Sequence, residues 1–316
     1  GFSDLASLLR GCSVAVLSGA GVSTESGIPD YRGPETRDTD HTPIRYREFV
    51  AEPETRRHYW ARSAVGWPTF DAATPNDGHR ALARLEAAGA GTFAADLLDP
   101  AALDDAPLAA NVIYMVGMKF GTTGRPALTW AVNGLIPAYV LPRYAEARIV
   151  AFSTGCVYDL VPADAPGSVE ADPLTPPGEY ANSCVARERI FEHVAAADGT
   201  AVLQMRLNYA VEMRYGVLVD LAHAIAAGEP VDVTMGRFNC IWQGDVNAIA
   251  LRLLEHCAHP PRPLNVTGAQ TLAVRDVAAR LAERMGTPVR FTASEAPTAL
   301  LSDARQSHRL LGEPPT

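Results

Sequence analysis

The sequence has a single lysine, Lys119; every other basic side chain is arginine or histidine. Chemistry that needs an amino side chain therefore has one residue to draw on. Paired cysteines are also lacking. Cys12, Cys156, Cys184, Cys240 and Cys257 form no Cys-x-x-Cys, which argues against a four-cysteine zinc site and suits a reduced, cytoplasmic protein with no bound metal. There is no run of about 18 apolar residues, so no membrane span is expected. No basic stretch leads into a long apolar one near the start, and a secretory signal is not expected either. Positive charge is in deficit: 27 Lys+Arg against 36 Asp+Glu give a net charge of -9, which argues against a nucleic-acid partner. Internal repeats and low-complexity tracts are absent. What remains is 316 residues, 47% hydrophobic and 20% charged. That is enough apolar surface for a core, in two lobes or in one large α/β domain with a smaller cap.

Residues 13–18, Ser-Val-Ala-Val-Leu-Ser, read as a buried strand running into Gly19-Ala20-Gly21, the entry to a nucleotide-binding α/β unit. Residues 34–75 are rich in Arg, Pro, Thr and Asp, with Tyr59, Trp60 and Trp67 scattered among them. Their weak periodicity reads as loops and short helices, and their interleaved charges as solvated surface. A helix is expected from Pro75-Asn76-Asp77 through Glu86, with Ala81, Leu82 and Leu85 on one face and Gly89 and Gly91 stopping it. A regular alternation follows: strand 92–95, helix 100–106, strand 111–116, helix 127–144, strand 148–153, helix 180–197, strand 201–207. Such alternation predicts a parallel sheet covered on both faces. From about 208 the texture changes to helices 217–227, 246–257 and 274–285 and a short strand 264–267, read as a smaller cap. The expected organisation is a nucleotide-binding domain over 1–207 and a mainly substrate-binding cap over 208–316, with some returns to the sheet.

Two resemblances divide the chain. Gly19-Ala-Gly-Val-Ser-Thr-Glu-Ser26-Gly-Ile-Pro-Asp30-Tyr-Arg32-Gly33 resembles the NAD loop of sirtuins, the NAD-dependent protein deacylases, and Pro75-Asn-Asp-Gly-His79-Arg-Ala-Leu82 resembles the helix that follows it there. Small residues let backbone amides approach a pyrophosphate. The resemblance implies cofactor contacts at Gly19, Ala20, Gly21 and Ser26, with Asp30 and Arg32 near the nicotinamide ribose. It covers about 1–90 and then stops. The family's Gln-Asn-x-Asp strand, catalytic histidine and paired-cysteine zinc module do not follow.

From about residue 92 the chain resembles the extended short-chain dehydrogenases/reductases, the NAD-dependent epimerase/dehydratase family. Asp96-Leu97-Leu-Asp99 is similar to the acidic turn whose first aspartate meets the adenine amino group. Asn111–Gly117 is similar to the fourth strand, Asn133 to the helix asparagine, and Phe152-Ser-Thr154-Gly-Cys-Val-Tyr158 to the fifth strand and its hydroxyl-rich turn. Tyr180-Ala-Asn-Ser-Cys184-Val-Ala-Arg187-Glu188 is similar to the catalytic Tyr-x-x-x-Lys helix, and Arg206-Leu-Asn208 to the exit of the sixth strand. Gly244-Asp245 and Leu264–Gly268 fit later motifs. The family's own Gly-x-x-Gly-x-x-Gly opening is missing and the sirtuin-like segment stands in its place. The chain thus reads as a hybrid joined near residues 90–93, within a Rossmann-like parallel sheet with helices on both faces and a small C-terminal α/β cap.

The resemblance implies NAD, with NADP left open, a hydroxylated sugar-like substrate and a homodimer paired through helices. Tyr180 would trade a proton, Thr154 would polarise the substrate oxygen, and Asn208 and Lys119 would meet the substrate; Asp96, Leu97, Gly117 and Asn133 would hold the cofactor. Free tyrosine is only about 0.1% ionised at pH 7, and the family lowers its pKa with a lysine one turn on. Here that position is Cys184. Arg187, on the same helix face, or Lys119, from its loop, could supply the charge instead. Other readings stay open: Tyr180 as a packed helix start, Thr154 bonded to backbone, Asp96 as a helix N-cap, Arg206 and Arg214 as substrate-phosphate contacts or as ion-paired residues, Cys184 as a buried small hydrophobe. Weakened epimerase, dehydratase or dehydrogenase chemistry leads. A sirtuin-like deacylase and a non-catalytic NAD-binding protein are the alternatives.

Overall fold

The computed structural model describes residues 13–17, 44, 46–87, 89, 91, 93, 95–119, 124–213 and 216–314. Five parallel strands make its central sheet: β1 (Val14–Leu17), β2 (Asn111–Tyr114), β3 (Arg148–Thr154), β5 (Ala201–Leu207) and β10 (Arg262–Val266), hydrogen-bonded in the order β1-β2-β3-β5-β10. All four residues of β2 are buried, as expected for a parallel strand covered on both sides.

Period-two alternation sorts the strand residues between two layers. Val112, Tyr114, Ile149, Ala151 and Val202 face one layer; Ile113, Val150, Leu203, Met205 and Leu264 face the other. The first layer is closed by helix α4, formed by Pro126–Trp130, a π-helical stretch Ala131–Leu135 and Ile136–Arg143, and by α5 (Glu179–Asp198). The second is closed by α7 (Gln243–Leu253) and the end of α9 (Arg305–Leu311). A third cluster lies outside the sheet, where α6 (Val217–Ala226) packs on α8 (Val274–Met285) around Ile225, Val233 and Phe238. Four two-residue strand pairs surround this region: β4 (Val161–Pro162) with β13 (Thr298–Ala299), β6 (Ala210–Val211) with β9 (Ile241–Trp242), β7 (Val231–Asp232) with β12 (Phe291–Thr292), and β8 (Arg237–Phe238) with β11 (Leu272–Ala273).

Two expectations are corrected. Residues 34–75 are not only loops and short helices: after the short α1 (Tyr46–Ala51), Pro53–Ala72 form one 20-residue helix, α2. Its sequence has no apolar stripe, so periodicity could not show it; Pro53 at the first position suits a helix start. The strand expected at 92–95 is also not seen, since residues 93 and 95 carry no strand and β1 pairs directly with β2. The helix expected at 75–86 runs Asp77–Ala87 as α3.

Candidate active site

Strands β2 and β3 end side by side, and the loops beyond them meet α5. The mid-helix geometry of α4 helps to build this junction. Pro137 lies four residues after Asn133, has no N–H to give its carbonyl and crowds it with its ring. The π-helical stretch Ala131–Leu135 accommodates that mismatch. It holds Asn133 fully buried against the loop after β2, where the Met118 amide donates to Asn133 Oδ1 at 2.8 Å. Asn133 Nδ2 donates in turn to the Met118 carbonyl at 3.2 Å and to Ser183 Oγ at 2.8 Å, and Ser183 Oγ donates to the Tyr180 carbonyl at 2.6 Å. One asparagine therefore fixes the β2 loop to the start of α5.

A second network fixes α5 to the sheet. Arg206, on β5, donates to both oxygens of Glu188, with Nη2 to Oε2 at 2.7 Å, and both residues are almost completely buried. Ser153 Oγ donates to Glu188 Oε1, Arg206 Nη1 donates to Tyr158 Oη at 2.7 Å, and Tyr158 donates to Asn265 Oδ1 at 2.8 Å. Arg206 is thus an ion-paired structural residue and not a free phosphate contact. In the sequence Glu188 stands out only as a motif position. The available signal was polar Gln204 and Arg206 alternating inside an otherwise apolar strand, both aimed at α5.

Tyr180 follows the first residue of α5 and lines a cavity of about 710 Å³ together with Cys156, Tyr158, Glu179 and Leu300. Burial pushes its phenol well above the ordinary tyrosine value; the neighbouring Cys184 adds to that, and Arg187 pulls the other way. Cys184 is fully buried and its thiol is pushed up by burial, so it acts as a small neutral neighbour. Thr154 ends β3, and its hydroxyl oxygen accepts the Cys156 amide at 3.1 Å, capping the turn Gly155–Val157. Its own O–H remains a donor. Arg187 is buried beside Gly117, where a β-carbon on the glycine would lie 2.6 Å from Arg187 Nη1 and 3.4 Å from Asn133 Oδ1.

The other expected site residues spread more widely. Asp96 is exposed and accepts the Leu98 amide at 3.0 Å, while the helix N-cap is Asp99, which accepts the Ala101 amide at 3.2 Å. Leu97 packs against the core layer of β2. Lys119 is exposed two residues past Gly117. Asn208 is buried, with Nδ2 donating to Asn239 Oδ1 at 2.7 Å. Trp130 donates from Nε1 to Glu179 Oε2. Gly19, Ala20, Gly21, Ser26, Asp30, Arg32 and Arg214 lie outside the described residues. Among the described residues, no group of three or more His, Cys, Asp or Glu could hold a metal, and no helix is long and apolar enough to cross a membrane.

A parallel sheet of this order, with loops and helix starts gathered at the carboxyl ends of its strands, defines a Rossmann-like dinucleotide-binding protein. Residues 58–267 match the model of the NAD dependent epimerase/dehydratase family, more than half of the chain, and the chain belongs to that family. Residues 19–95 match the Sir2 family model, so segments of two families are joined in one chain. The NAD-dependent protein deacetylase 1 of Mycobacterium avium is 42% identical over 144 residues, which are 43% of this chain and 50% of that protein. The NAD-dependent protein deacetylase 1 of Streptomyces coelicolor is 58% identical over 86 residues, 26% of this chain and 29% of that protein. The chain therefore spans half or less of the length of these curated relatives. Among solved structures, RMD from Pseudomonas aeruginosa complexed with NADPH superposes with a TM-score of 0.60 at 22% identity, over 75% of this chain and 90% of that one. The dTDP-glucose 4,6-dehydratase DesIV of Streptomyces venezuelae, with NAD and DAU bound, gives 0.64 at 18% identity over 77% and 80%. At these identities the likeness shows the fold. NAD is the cofactor of both matched families, and Gly117, in the loop just past β2 and beside a buried guanidinium, suits a dinucleotide.

Proposed function

We propose that the chain binds NAD and carries weakened epimerase, dehydratase or dehydrogenase chemistry on a hydroxylated, sugar-like substrate, with NADP left open as a cofactor. The observation that carries this reading is the Tyr180 phenol, which lines a cavity of about 710 Å³ where β3 and α5 meet. When bound, NAD supplies the hydride acceptor and donor. Tyr180 Oη holds or takes the proton of the substrate hydroxyl, and the free O–H of Thr154 donates to the same oxygen. Asp96, Leu97, Gly117 and Asn133 border the cofactor, and Lys119 and Asn208 the substrate. The cofactor reading extends to Gly19, Ala20, Gly21, Ser26, Asp30 and Arg32 by the resemblance of their motif. The protein works in the cytoplasm, as a homodimer.

The weakness has a physical cause. With Cys184 in place of a cation, burial leaves the Tyr180 phenol holding its proton, so it donates more readily than it accepts. Tyr180→Phe removes the hydroxyl alone and is expected to lower NAD-linked turnover of a sugar nucleotide by about 100-fold or more. The readout is reduced-nicotinamide absorbance, and an unchanged rate sinks the assignment. The identity to deacetylases over residues shared with the Sir2 match favours a second reading, cleavage of NAD. Release of free nicotinamide in the absence of any sugar nucleotide would support it over the first.

A further inference from the structure

Arg187 is 6% exposed, yet among the described residues it has neither a carboxylate partner nor a hydrogen bond. The carboxylates nearest to it along α5 are committed elsewhere: Glu188 to Arg206 and Ser153, Glu192 to Arg189, Glu179 to Trp130. The groups its charge acts on are the neutral phenols of Tyr114 and Tyr180 and the thiol of Cys184. A buried cation without a counter-charge is costly. A second orphan lies nearby: Tyr114 Oη, at the end of β2, is buried with no hydrogen-bond partner. Gly117 gives the guanidinium its room, since a β-carbon there would lie 2.6 Å from Nη1 and push it aside.

We propose that Arg187 binds the diphosphate of the dinucleotide. This rests on the NAD reading above and assigns the charge to one part of the cofactor. A guanidinium presents paired donors that match two phosphate oxygens, which suits an anion better than a sugar hydroxyl. Its position suits the cofactor's anion better than the substrate's. The strand it faces, β2, is the immediate neighbour of β1, whose carboxyl end runs into the glycine motif. Dinucleotides cross such sheets at that edge of the strands.

The test is calorimetric titration of the full chain with ADP and with adenosine. The wild type is expected to prefer ADP by about tenfold or more, and Arg187→Met to lose most of that preference. Gly117→Ala, which crowds the guanidinium without removing it, should also shrink the preference, and Arg187→Lys should keep part of it. Ligand-free Arg187→Met should melt at or above the wild type, because it removes a buried charge that has no partner among the described residues, while ADP should no longer raise its Tm. An undiminished preference for ADP in Arg187→Met overturns the inference and leaves NAD binding intact. So does a ligand-free melting point below that of the wild type, which would make the arginine structural. If Arg187→Met weakens UDP but not ADP, the anion belongs to the substrate and the inference fails. A wild type that binds neither NAD nor ADP overturns this inference and the proposed function together.

Discussion

At the scale of single residues, three side chains on one helix face have exchanged duties. Tyr180 offers the hydroxyl, Cys184 contributes volume without charge, and Arg187 brings a cation to the same place from one turn further on. Restoring an amine at position 184 is therefore not a simple repair. Cys184 is fully buried, and a lysine there would meet the like charge of Arg187. Cys184→Lys alone is expected to lower stability by about 1–3 kcal/mol, and Cys184→Lys with Arg187→Met to recover it. Urea midpoints of the two variants check this; equal stability of both would show that the charges do not interact. The Arg206–Glu188 pair predicts a larger effect. Arg206→Met leaves a buried carboxylate unpaired and should cost about 3–5 kcal/mol. The double variant Arg206→Met/Glu188→Leu should cost clearly less, since no lone charge remains.

At the scale of elements, the junction of β2, α4 and α5 depends on an irregularity. The π-helical stretch of α4 lets Asn133 reach the Met118 amide and carbonyl and Ser183 at once. Asn133→Ala strands these buried groups and is expected to cost about 1–3 kcal/mol, with a loss of protection at the Met118 amide measurable by hydrogen exchange. Protection equal to that of the wild type would show that the loop is held by other means. The helix from residue 127 onward and the asparagine were both legible in the sequence. The π turn was not, because apolar spacing hardly distinguishes 3.6 residues per turn from a single wider one. The long helix α2 escaped for the opposite reason: Trp60, Val65 and Trp67 are exposed on it, and no face of it reads as a core stripe.

For the whole molecule, burial has a consequence in alkali. Cys257 is held up to about 12 by burial against the pull of Arg148, and Tyr158 to about 12 by burial against Arg206. Both folded values lie above the ordinary ones of 9.0 and 10.0. Their contribution to stability is complete below pH 9. It is lost as pH rises towards 12, because the unfolded chain releases these protons first. Thermal unfolding followed by circular dichroism should show a midpoint that is level from pH 7 to 8.5 and falls steadily above pH 9, and Cys257→Ala should flatten the first part of the fall. A midpoint that holds to pH 11 would show that these groups open to water before the chain unfolds.

The sequence by itself determined the parallel sheet, because alternating strand and helix patterns with buried apolar runs have few other ways to pack. It also showed the hybrid origin and the missing lysine, since both lie in the order of residues along the chain. Only the tertiary structure decided what the charged residues do. Arg206 and Arg187 are both arginines close to the same motif. One reaches across 18 residues of sequence to a buried carboxylate; the other faces Gly117 with no carboxylate partner among the described residues. That difference depends on which side chains the sheet and α5 bring within hydrogen-bond distance, and spacing along the chain does not encode it.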